Sequence, residues 1–400
     1  MKRDCDVIVV GAGPGGATAA RCCVQAGLKT FLIEKERFPR YKPCGGCLSA
    51  KTVRLLPFDL GAIVENAIFA AKFTYRNREP FSVRTERPMA FMVMRDRFDQ
   101  FLIEKGLERG VELLEGTKVV RAEEKGETIE IELVGGERLR CEYLIGSDGP
   151  ESAVARSFSL RPPRENGGGV AVESEVPLDS VLGFPEEDPA CIHLDFGGVP
   201  NGYGWVFPKR EWVSIGIGGM FQEGERRCAR KYYDTFFEGL PYFKRGTVGR
   251  IMGHPLPAFY HDRQRVGRGR VLLVGDAAHL LDPLMGEGIY YAVKSGMLAA
   301  EALLYSKERG GLPADFYQAS VHDHLFENLK WALYLSRFVF RFTKLAYQTL
   351  KGYPELAMLY LQVLEGEKAY QGFVSDVKER MKALLGGRLT DRIRKAMSKL

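Results

Sequence analysis

The sequence predicts a mixed α/β protein with a Rossmann-type parallel sheet, a second domain built on a β-sheet, and a helical C-terminal region. Three observations support this fold class. A glycine-rich turn joins a short apolar strand to a helix near the N-terminus, strand-like segments recur in the middle of the chain, and apolar residues recur every three to four positions toward its end. The 400 residues are enough for two or three domains with a sizeable core.

The first element is the strand–turn–helix segment Val7–Gly16, which reads VIVVGAGPGG. Its four β-branched residues predict a buried strand. Gly11 permits the tight turn, Gly13 lets a phosphate approach the backbone, and Gly16 lets the following helix pack close to the strand. Gly15 is assigned to the same turn. The helix N-terminus then presents free N–H groups and the positive end of its dipole to the phosphates.

A second strand, residues 30–33, ends on Glu34, roughly 20 residues after the glycine turn. A carboxylate at this place accepts hydrogen bonds from a ribose diol, and Lys35 is assigned to the same site. The glycine pattern alone is weak evidence and would also suit a purely structural turn. With the strand, the helix and the acid in place, the segment predicts dinucleotide binding.

Two later motifs each place an aspartate at the carboxyl end of a predicted strand. The first, Cys141–Gly149, ends in Asp-Gly, and the second, Arg270–His279, contains Gly-Asp. Because such strand ends face the ligand crevice, Asp276 is expected to accept a hydrogen bond from a ribityl hydroxyl. The N–H groups of Gly288 and Ile289, at the next helix start, favour negative charge on a reduced flavin. Either motif alone could be a strand-ending turn, but the three in this order predict FAD rather than NAD.

With these motifs the chain resembles flavoproteins of the para-hydroxybenzoate hydroxylase fold, and most closely the geranylgeranyl reductase family. Lys42–Gly46 (KPCGG) is similar to that family's Pro-Cys-Gly-Gly loop beside the flavin, and Tyr203–Lys209 (YGWVFPK) to its Tyr-x-Trp-x-Phe-Pro motif. Arg95 matches the family's arginine near the FAD ribose and pyrophosphate. The resemblance covers roughly residues 5–305, and Cys47 stands where members often carry Gly or Ala.

The resemblance implies an FAD-dependent reductase that saturates isolated C=C bonds of polyprenyl lipids or prenyl diphosphates. It implies an external electron donor, ferredoxin or NAD(P)H, and makes Cys44, Tyr203 and Trp205 the candidate catalytic residues. An FAD-dependent monooxygenase of the same fold is the alternative, and a non-catalytic prenyl-lipid-binding flavoprotein is the third candidate. The predicted cofactor-binding residues are Gly11, Gly13, Gly15, Gly16, Glu34, Lys35, Cys44, Gly45, Arg95, Val119, Asp276, Gly286, Gly288 and Ile289.

The aromatic segment is also the predicted substrate-binding strand. Tyr203, Trp205 and Phe207 alternate, so a strand would place the three rings on one face. That face could line an apolar tunnel over the flavin or form an ordinary core stripe. Lys209, at the end of the segment, is a candidate for a phosphate head group, with plain surface charge as the alternative.

The cysteines and histidines indicate no metal site. Cys44 and Cys47 form a C-x-x-C pair, but no second pair or close pair of histidines completes a zinc site. Two independent thiols are expected, with a redox disulfide as the alternative. His279 follows the Gly-Asp turn and is expected to be structural rather than a proton donor.

The composition permits an anionic partner without demanding one. The net charge is +6, and no basic tract predicts nucleic-acid binding. No apolar stretch reaches the roughly 18 residues of a membrane span. The first strand follows Asp4 closely, which leaves no room for a signal peptide. We therefore expect a cytoplasmic protein with reduced thiols, with peripheral attachment to the inner face of the membrane as an option.

The domain prediction is discontinuous. Residues 1–155 and 262–305 are assigned to the FAD-binding domain, with about 60–90 as a contribution to the substrate side, and residues 156–261 to the substrate domain. Residues 306–400 are assigned to a C-terminal helical region. Part of it reads as a basic amphipathic helix, which could lie on an anionic membrane or pack over the tunnel and the FAD domain. The residues of that pattern are Lys330, Trp331, Leu333, Tyr334, Arg337, Phe338, Arg341, Phe342, Lys344, Leu345 and Ala346.

Overall fold

The computed structural model describes residues 4–161, 168–181, 188–221, 226–243 and 249–385. The strands are β1 (Val7–Val10), β2 (Thr30–Ile33), β3 (Cys47–Ser49), β4 (Val64–Ile68), β5 (Ala70–Tyr75), β6 (Arg78–Arg84), β7 (Ala90–Val93), β8 (Glu112–Leu114), β9 (Val119–Lys125), β10 (Thr128–Leu133), β11 (Arg138–Cys141), β12 (Tyr143–Gly146), β13 (Gly168–Pro177), β14 (Cys191–Phe196), β15 (Gly202–Pro208), β16 (Trp212–Phe221), β17 (Met252–Leu256), β18 (Gly267–Arg268) and β19 (Val271–Leu273). The helices are α1 (Pro14–Gln25), α2 (Ala50–Leu55), α3 (Arg95–Leu107), α4 (Ala153–Ser157), α5 (Ala229–Glu238), α6 (Ile289–Arg309), α7 (Pro313–Val321), α8 (Glu327–Arg341), α9 (Thr343–Gly352), α10 (Pro354–Glu365) and α11 (Tyr370–Leu385).

A six-stranded sheet carries the glycine-rich turn. Its order is β18-β19-β12-β1-β2-β8, and its strands are parallel except for the short β18. All four residues of β1 are buried, as an apolar strand covered on both faces requires. Helix α1 packs against both α6 and α3. The predicted strands around the glycine turn, and the helix between them, are confirmed.

A seven-stranded sheet of order β17-β13-β16-β15-β14-β5-β6 forms the second layer. Its strands pair antiparallel, except that β14 and β5 are parallel. The strand-like segments that the sequence shows in the middle of the chain form β13, β14, β15 and β16 of this sheet. Strands β5 and β6 come from residues 70–84, so part of the 60–90 segment lies in this sheet.

Two three-stranded sheets complete the β structure. Strands β3, β7 and β4 pair antiparallel, and β3 follows the segment Lys42–Gly46, which we call the flavin-side loop. Strands β9, β10 and β11 form an antiparallel meander beside the six-stranded sheet. Because β3 continues directly from the flavin-side loop, the sheet of β3, β7 and β4 positions this loop at the space between the two large sheets.

The C-terminal region is helical up to residue 385, and the predicted residues 386–400 lie outside the described part. Tyr347 on α9 donates a hydrogen bond to the Phe73 carbonyl, at 3.2 Å, and so joins this region to the seven-stranded sheet. Trp331 and Leu333 pack against neighbouring core residues. Among the helices described, none has the length and apolar character needed to cross a bilayer.

Candidate active site

A cavity of about 1030 Å³ lies between the two large sheets, at the carboxyl edge of the parallel strands. Its wall contains the flavin-side loop, the face of β15, and three side chains of the C-terminal helices, Phe340, Tyr360 and Leu364. Of the predicted site residues, all but Gly16 and Lys209 line it. The fold therefore brings motifs more than 200 positions apart in the chain to one cavity.

The glycine-rich turn has the geometry that the sequence predicts. Gly11 has a φ of +96°, and a Cβ there would lie 2.3 Å from the Ser147 carbonyl oxygen. A Cβ on Gly16 would lie 1.9 Å from the Gly11 carbonyl oxygen, so Gly16 serves the packing of helix on strand. At Gly13 the nearest atom would be Nη2 of Arg40, 3.9 Å away, so the turn keeps an open cradle above its backbone.

The carboxylate and the arginines around this cradle form one cluster. Glu34 accepts a hydrogen bond from the Ala12 N–H at 2.8 Å. Asp99, fully buried, accepts two hydrogen bonds from Arg95, at 3.0 and 2.9 Å, and pairs with Arg40 at 3.1 Å. Arg40 was not among the cofactor-binding residues predicted from the sequence. Its position six residues after Glu34 is a local signal that could have found it.

Asp276 lies at the same edge of the sheet, at the end of β19. Burial by itself would raise the pKa of Asp276. The nearby His254 ring and the charge of Lys42 outweigh burial and lower the pKa. Asp276 therefore stands as a carboxylate acceptor in the cavity wall, as the sequence predicts. His254 and Lys42 also line the cavity, and neither had been assigned a role from the sequence.

The loop before α6 is held by a buried aspartate. Asp282 accepts hydrogen bonds from the N–H groups of Leu284 and Met285, at 2.7 and 2.9 Å, and from the Tyr370 hydroxyl at 2.7 Å. Helix α6 begins at Ile289 after this loop, and Gly288 and Ile289 line the cavity. A residue of α11 thus fixes the loop that the sequence assigns to the flavin.

The three alternating aromatic residues share the cavity face. The rings of Trp205 and Phe207 stack with centroids 6.0 Å apart, and Tyr203 lies 6.3 Å from Trp205. Trp205 Nε1 donates a hydrogen bond to Ser214 Oγ at 3.2 Å. A Cβ on Gly45 would come within 2.7 Å of the Phe207 ring, so this glycine lets the flavin-side loop approach the aromatic face.

The hydroxyl of Tyr203 donates a hydrogen bond to the Met285 carbonyl. Burial, together with nearby acidic groups and thiols, raises the pKa of Tyr203 well above its usual range. Tyr203 therefore keeps its proton, and that proton is already engaged with the backbone of the loop before α6. This geometry suits a side chain that joins β15 to that loop.

The two cysteines of the C-x-x-C pair lie in different surroundings, and both are free thiols. Cys44 is half-buried, and its Sγ accepts a hydrogen bond from the Gly46 N–H at 3.5 Å. Burial raises the pKa of Cys47 well above its usual range. Both side chains are half-buried and line the cavity.

The prediction that Lys209 reaches a phosphate head group is wrong. The Lys209 side chain is fully buried and pairs with Glu175 on β13. Its Nζ lies 3.2 Å from the position of a Cβ on Gly46, because the flavin-side loop covers the end of β15. Burial raises the pKa of Glu175 to about 7, and Lys209 opposes that rise. The cation therefore serves a buried pair and does not face the cavity.

His279 ends the short helical turn after β19 in a left-handed conformation, with φ of 54°. It is not among the described residues that line the cavity. Burial lowers the pKa of His279 to about 4, so the ring is neutral at pH 7. These features agree with the structural role expected for it.

The donor set fits a flavin dinucleotide. The wall of this one cavity contains the open cradle at Gly13, the basic groups of Arg40 and Arg95, the carboxylates of Glu34 and Asp276, and the glycines of the flavin-side loop. Among the described residues no group of three His, Cys, Asp or Glu side chains could hold a metal ion. The fold and the site together define an FAD-dependent oxidoreductase.

Comparison with known proteins identifies the family. Residues 4–182 and 254–314 match the FAD binding domain family, and residues 179–253 match the geranylgeranyl reductase catalytic domain. The chain belongs to the geranylgeranyl reductase family, and FAD is its cofactor.

Named relatives agree with this assignment. The chain is 31% identical over 368 residues to an uncharacterized protein of Methanosarcina barkeri, covering 92% of each chain. It is 31% identical to digeranylgeranylglycerophospholipid reductase 1 of Methanopyrus kandleri, covering 78% of this chain and 83% of the relative. A geranylgeranyl bacteriochlorophyll reductase-like protein of Thermoplasma acidophilum shares the fold, with a TM-score of 0.77 at 23% identity over 94% of this chain and 98% of that one.

Proposed function

We propose that this protein saturates isolated C=C bonds in a polyprenyl chain carried by a lipid or a diphosphate. The observation that carries the proposal is the aromatic face of Tyr203, Trp205 and Phe207, which lines the cavity and packs against Gly45 of the flavin-side loop. An apolar chain stacked on this face would be held against the flavin edge, since aromatic surface buries much apolar area. Side chains of α8 and α10 extend the apolar wall, as Phe340, Tyr360 and Leu364 show.

The reduced FAD supplies a hydride to one alkene carbon when it is bound. The chain's own residues position the alkene and supply the proton that the other carbon needs. Cys44 is the proposed residue at the reacting face, because it is half-buried, lines the cavity and lies in the flavin-side loop. Tyr203 and Trp205 are the proposed residues that hold the alkene in place.

The test of this function is a single-turnover reaction. The protein is reduced with dithionite without oxygen and mixed with geranylgeranyl diphosphate. We expect reoxidation of the flavin and a prenyl product that gains two hydrogens per double bond, read by mass spectrometry. A product that instead gains oxygen, only when air is admitted, would identify the monooxygenase alternative. Binding without any turnover in either gas would identify a lipid-binding flavoprotein.

The role of Cys44 is tested by Cys44→Ser, with Cys47→Ser, at the start of β3, as the matched variant. We expect Cys44→Ser to retain FAD and to slow prenyl reduction at least tenfold, while Cys47→Ser changes turnover little. Equal losses in both variants would point to a redox pair instead. Unchanged turnover in Cys44→Ser would assign this thiol to packing.

The proposed electron donor is external, either a ferredoxin or NAD(P)H. The FAD site uses the glycine-rich turn at Gly11–Gly16. Among the described residues we assign no second sheet to the binding of another nucleotide. Stopped-flow reduction of the FAD by NADPH and by reduced ferredoxin, measured side by side, distinguishes the two donors.

We also propose a cytoplasmic protein that attaches peripherally to an anionic membrane through the joint between α8 and α9. Tyr334, Phe342 and Leu345 are 46%, 40% and 59% exposed there. The neighbouring basic side chains Arg337, Arg341 and Lys344 are also exposed. Apolar and basic side chains together suit a bilayer interface with anionic lipids. Since α8 also contributes Phe340 to the cavity wall, such contact would bring the cavity close to membrane lipid.

Cosedimentation with vesicles of phosphatidylglycerol and phosphatidylcholine tests this attachment. We expect Leu345→Ser and Phe342→Ser to lower the bound fraction severalfold. Leu107→Ser, at an exposed leucine (44% exposed) on α3, is the control and should leave binding unchanged. Equal binding by all variants would exclude this surface as the contact.

A further inference from the structure

Two basic side chains meet in the wall of the cavity beside Asp276. Lys42 belongs to the flavin-side loop, and His254 lies on β17, the edge strand of the seven-stranded sheet. Lys42 Nζ and His254 Nε2 are 2.6 Å apart, and both side chains line the cavity. The pair thus connects the flavin-side loop to the seven-stranded sheet. The proposed function assigns no role to either of these two side chains.

The charges near this pair do not balance among the described residues. Asp276 is the nearest carboxylate, with Oδ2 at 3.9 Å from His254 Nε2, beyond hydrogen-bond distance. No ion pair within 4.0 Å joins Lys42 to a described acidic residue. Arg250 lines the same cavity and adds a further basic side chain, whereas Arg40 and Arg95 are both engaged by Asp99.

Lys42 Nζ and His254 Nε2 lie at hydrogen-bond distance, and two cations this close would repel each other without a nearby counter-charge. Burial, the largest effect, lowers the pKa of Lys42 to about 8, with Arg95 and Arg40 acting in the same direction and Asp276 against it. An oxyanion beside the two side chains could accept a hydrogen bond from each and would offset that repulsion. A phosphate offers several such oxygens and is commonly bound by lysine.

We infer that Lys42 and His254 form a phosphate-binding site in the cavity wall. The occupant is a phosphate group of the prenyl substrate or a phosphate of FAD, since both carry the same oxyanion chemistry. If the phosphate belongs to the prenyl substrate, the inference rests on the proposed function, and the pair has the role that the sequence had assigned to Lys209. If the phosphate belongs to FAD, the inference requires only the FAD site.

The experiment uses Lys42→Met and His254→Gln in the holoprotein, with Lys72→Met as the control. Lys72 lies on β5, where its Nζ donates to Tyr242 at 2.9 Å, and it is not among the described lining residues. Three ligands are measured. FAD affinity is read from flavin fluorescence on serial dilution, and the affinities for geranylgeranyl diphosphate and geranylgeraniol are read by titration calorimetry.

We expect both site variants to bind geranylgeranyl diphosphate at least tenfold more weakly, with geranylgeraniol and FAD affected less than twofold. A tenfold loss for FAD instead would support the site and identify the cofactor as the source of its phosphate. Equal losses for the diphosphate and the alcohol, or no loss for any ligand, would overturn the inference. If the unaltered protein binds neither prenyl compound, the proposed function fails, and the FAD measurement alone then decides the inference.

Discussion

At the scale of single residues, the substrate face depends on a buried hydrogen-bond chain. Glu173, on β13, is 1% exposed and accepts hydrogen bonds from Tyr41, next to the flavin-side loop, and from Ser214, at 3.2 Å, on β16. Ser214 in turn accepts from Trp205. A Cβ on Gly216 would come within 2.2 Å of the Trp205 ring, so the indole lies flat on a glycine. The ring therefore has one favoured orientation toward the cavity.

Trp205→Ala is predicted to raise KM for long prenyl substrates at least tenfold and to change FAD affinity little. The indole lines the cavity, and its removal takes away apolar surface worth roughly 25 cal/mol per Å². Steady-state kinetics and thermal melts of the same preparation check this. Trp212→Ala, at the start of β16 and outside the described cavity lining, is the matched control. A variant that melts far lower yet binds prenyl lipid normally would show that Trp205 is a core residue only.

The raised pKa of Glu175 predicts that the free energy of unfolding depends on pH. Burial raises the pKa of Glu175 from 4.5 to about 7, so between those values the folded state binds more protons than the unfolded state. The contribution of Glu175 to the free energy of unfolding is therefore largest below about pH 4.5, and it decreases as the pH rises toward about 7.

Glu175→Gln is expected to remove this pH dependence, which amounts to about 2–3 kcal/mol between pH 5 and pH 8. The variant also leaves Lys209 without its carboxylate, so its stability will be lower throughout. The quantity to compare is thus the slope of unfolding free energy against pH, measured by urea denaturation. Identical slopes in both proteins would mean that Glu175 is ionised as easily in the folded state as in the unfolded chain.

At the scale of elements, the C-terminal helices hold the loop before α6. Tyr370 begins α11, and its hydroxyl donates to the fully buried Asp282. The Tyr370 N–H donates to Asn328 at 2.9 Å, and Asn328 donates to the Tyr291 hydroxyl on α6 at 3.0 Å. The helices that follow the sheets in the chain are therefore part of the support for the FAD site.

Tyr370→Phe is predicted to lower the unfolding free energy by about 1–3 kcal/mol, since it leaves an Asp282 oxygen buried without its donor. Because Asp282 also holds the N–H groups of Leu284 and Met285, FAD affinity should fall as well. Chemical denaturation and flavin titration measure the two effects. Tyr305→Phe, at an exposed tyrosine (48% exposed) on α6, should change neither. Loss of stability with unchanged FAD affinity would separate the helix contact from the cofactor site.

At the scale of the whole molecule, FAD should stabilise the entire fold. Its proposed contacts come from the glycine turn, the flavin-side loop, α3 and the start of α6, so binding requires all of these to be folded together. Added FAD at about a thousandfold above its dissociation constant should stabilise the folded state by about 4 kcal/mol. The midpoint of thermal unfolding should therefore rise steadily with FAD concentration. A midpoint independent of added FAD would contradict a site built from these elements.

The elements with strong local patterns were predictable. The β1 strand, the turn at Gly11 and the α1 helix follow from β-branched residues, glycine and apolar periodicity, which act within a few residues. The alternation of Tyr203, Trp205 and Phe207 predicted their shared face for the same reason. The prediction that Lys209 meets a phosphate head group was wrong because the surroundings of this side chain are set by Glu175 and Gly46, which are distant in sequence.

Sequence by itself determined the fold class, the family and a set of predicted site residues of which all but Gly16 and Lys209 line the cavity, because their backbone requirements are local and leave recognisable spacing. Only the tertiary structure decided which charged side chains face the cavity. Lys209 is buried in an ion pair, whereas Lys42 meets His254 across more than 200 residues of chain. The cost of burying a charge depends on neighbours that folding brings together, and no spacing along the chain records them.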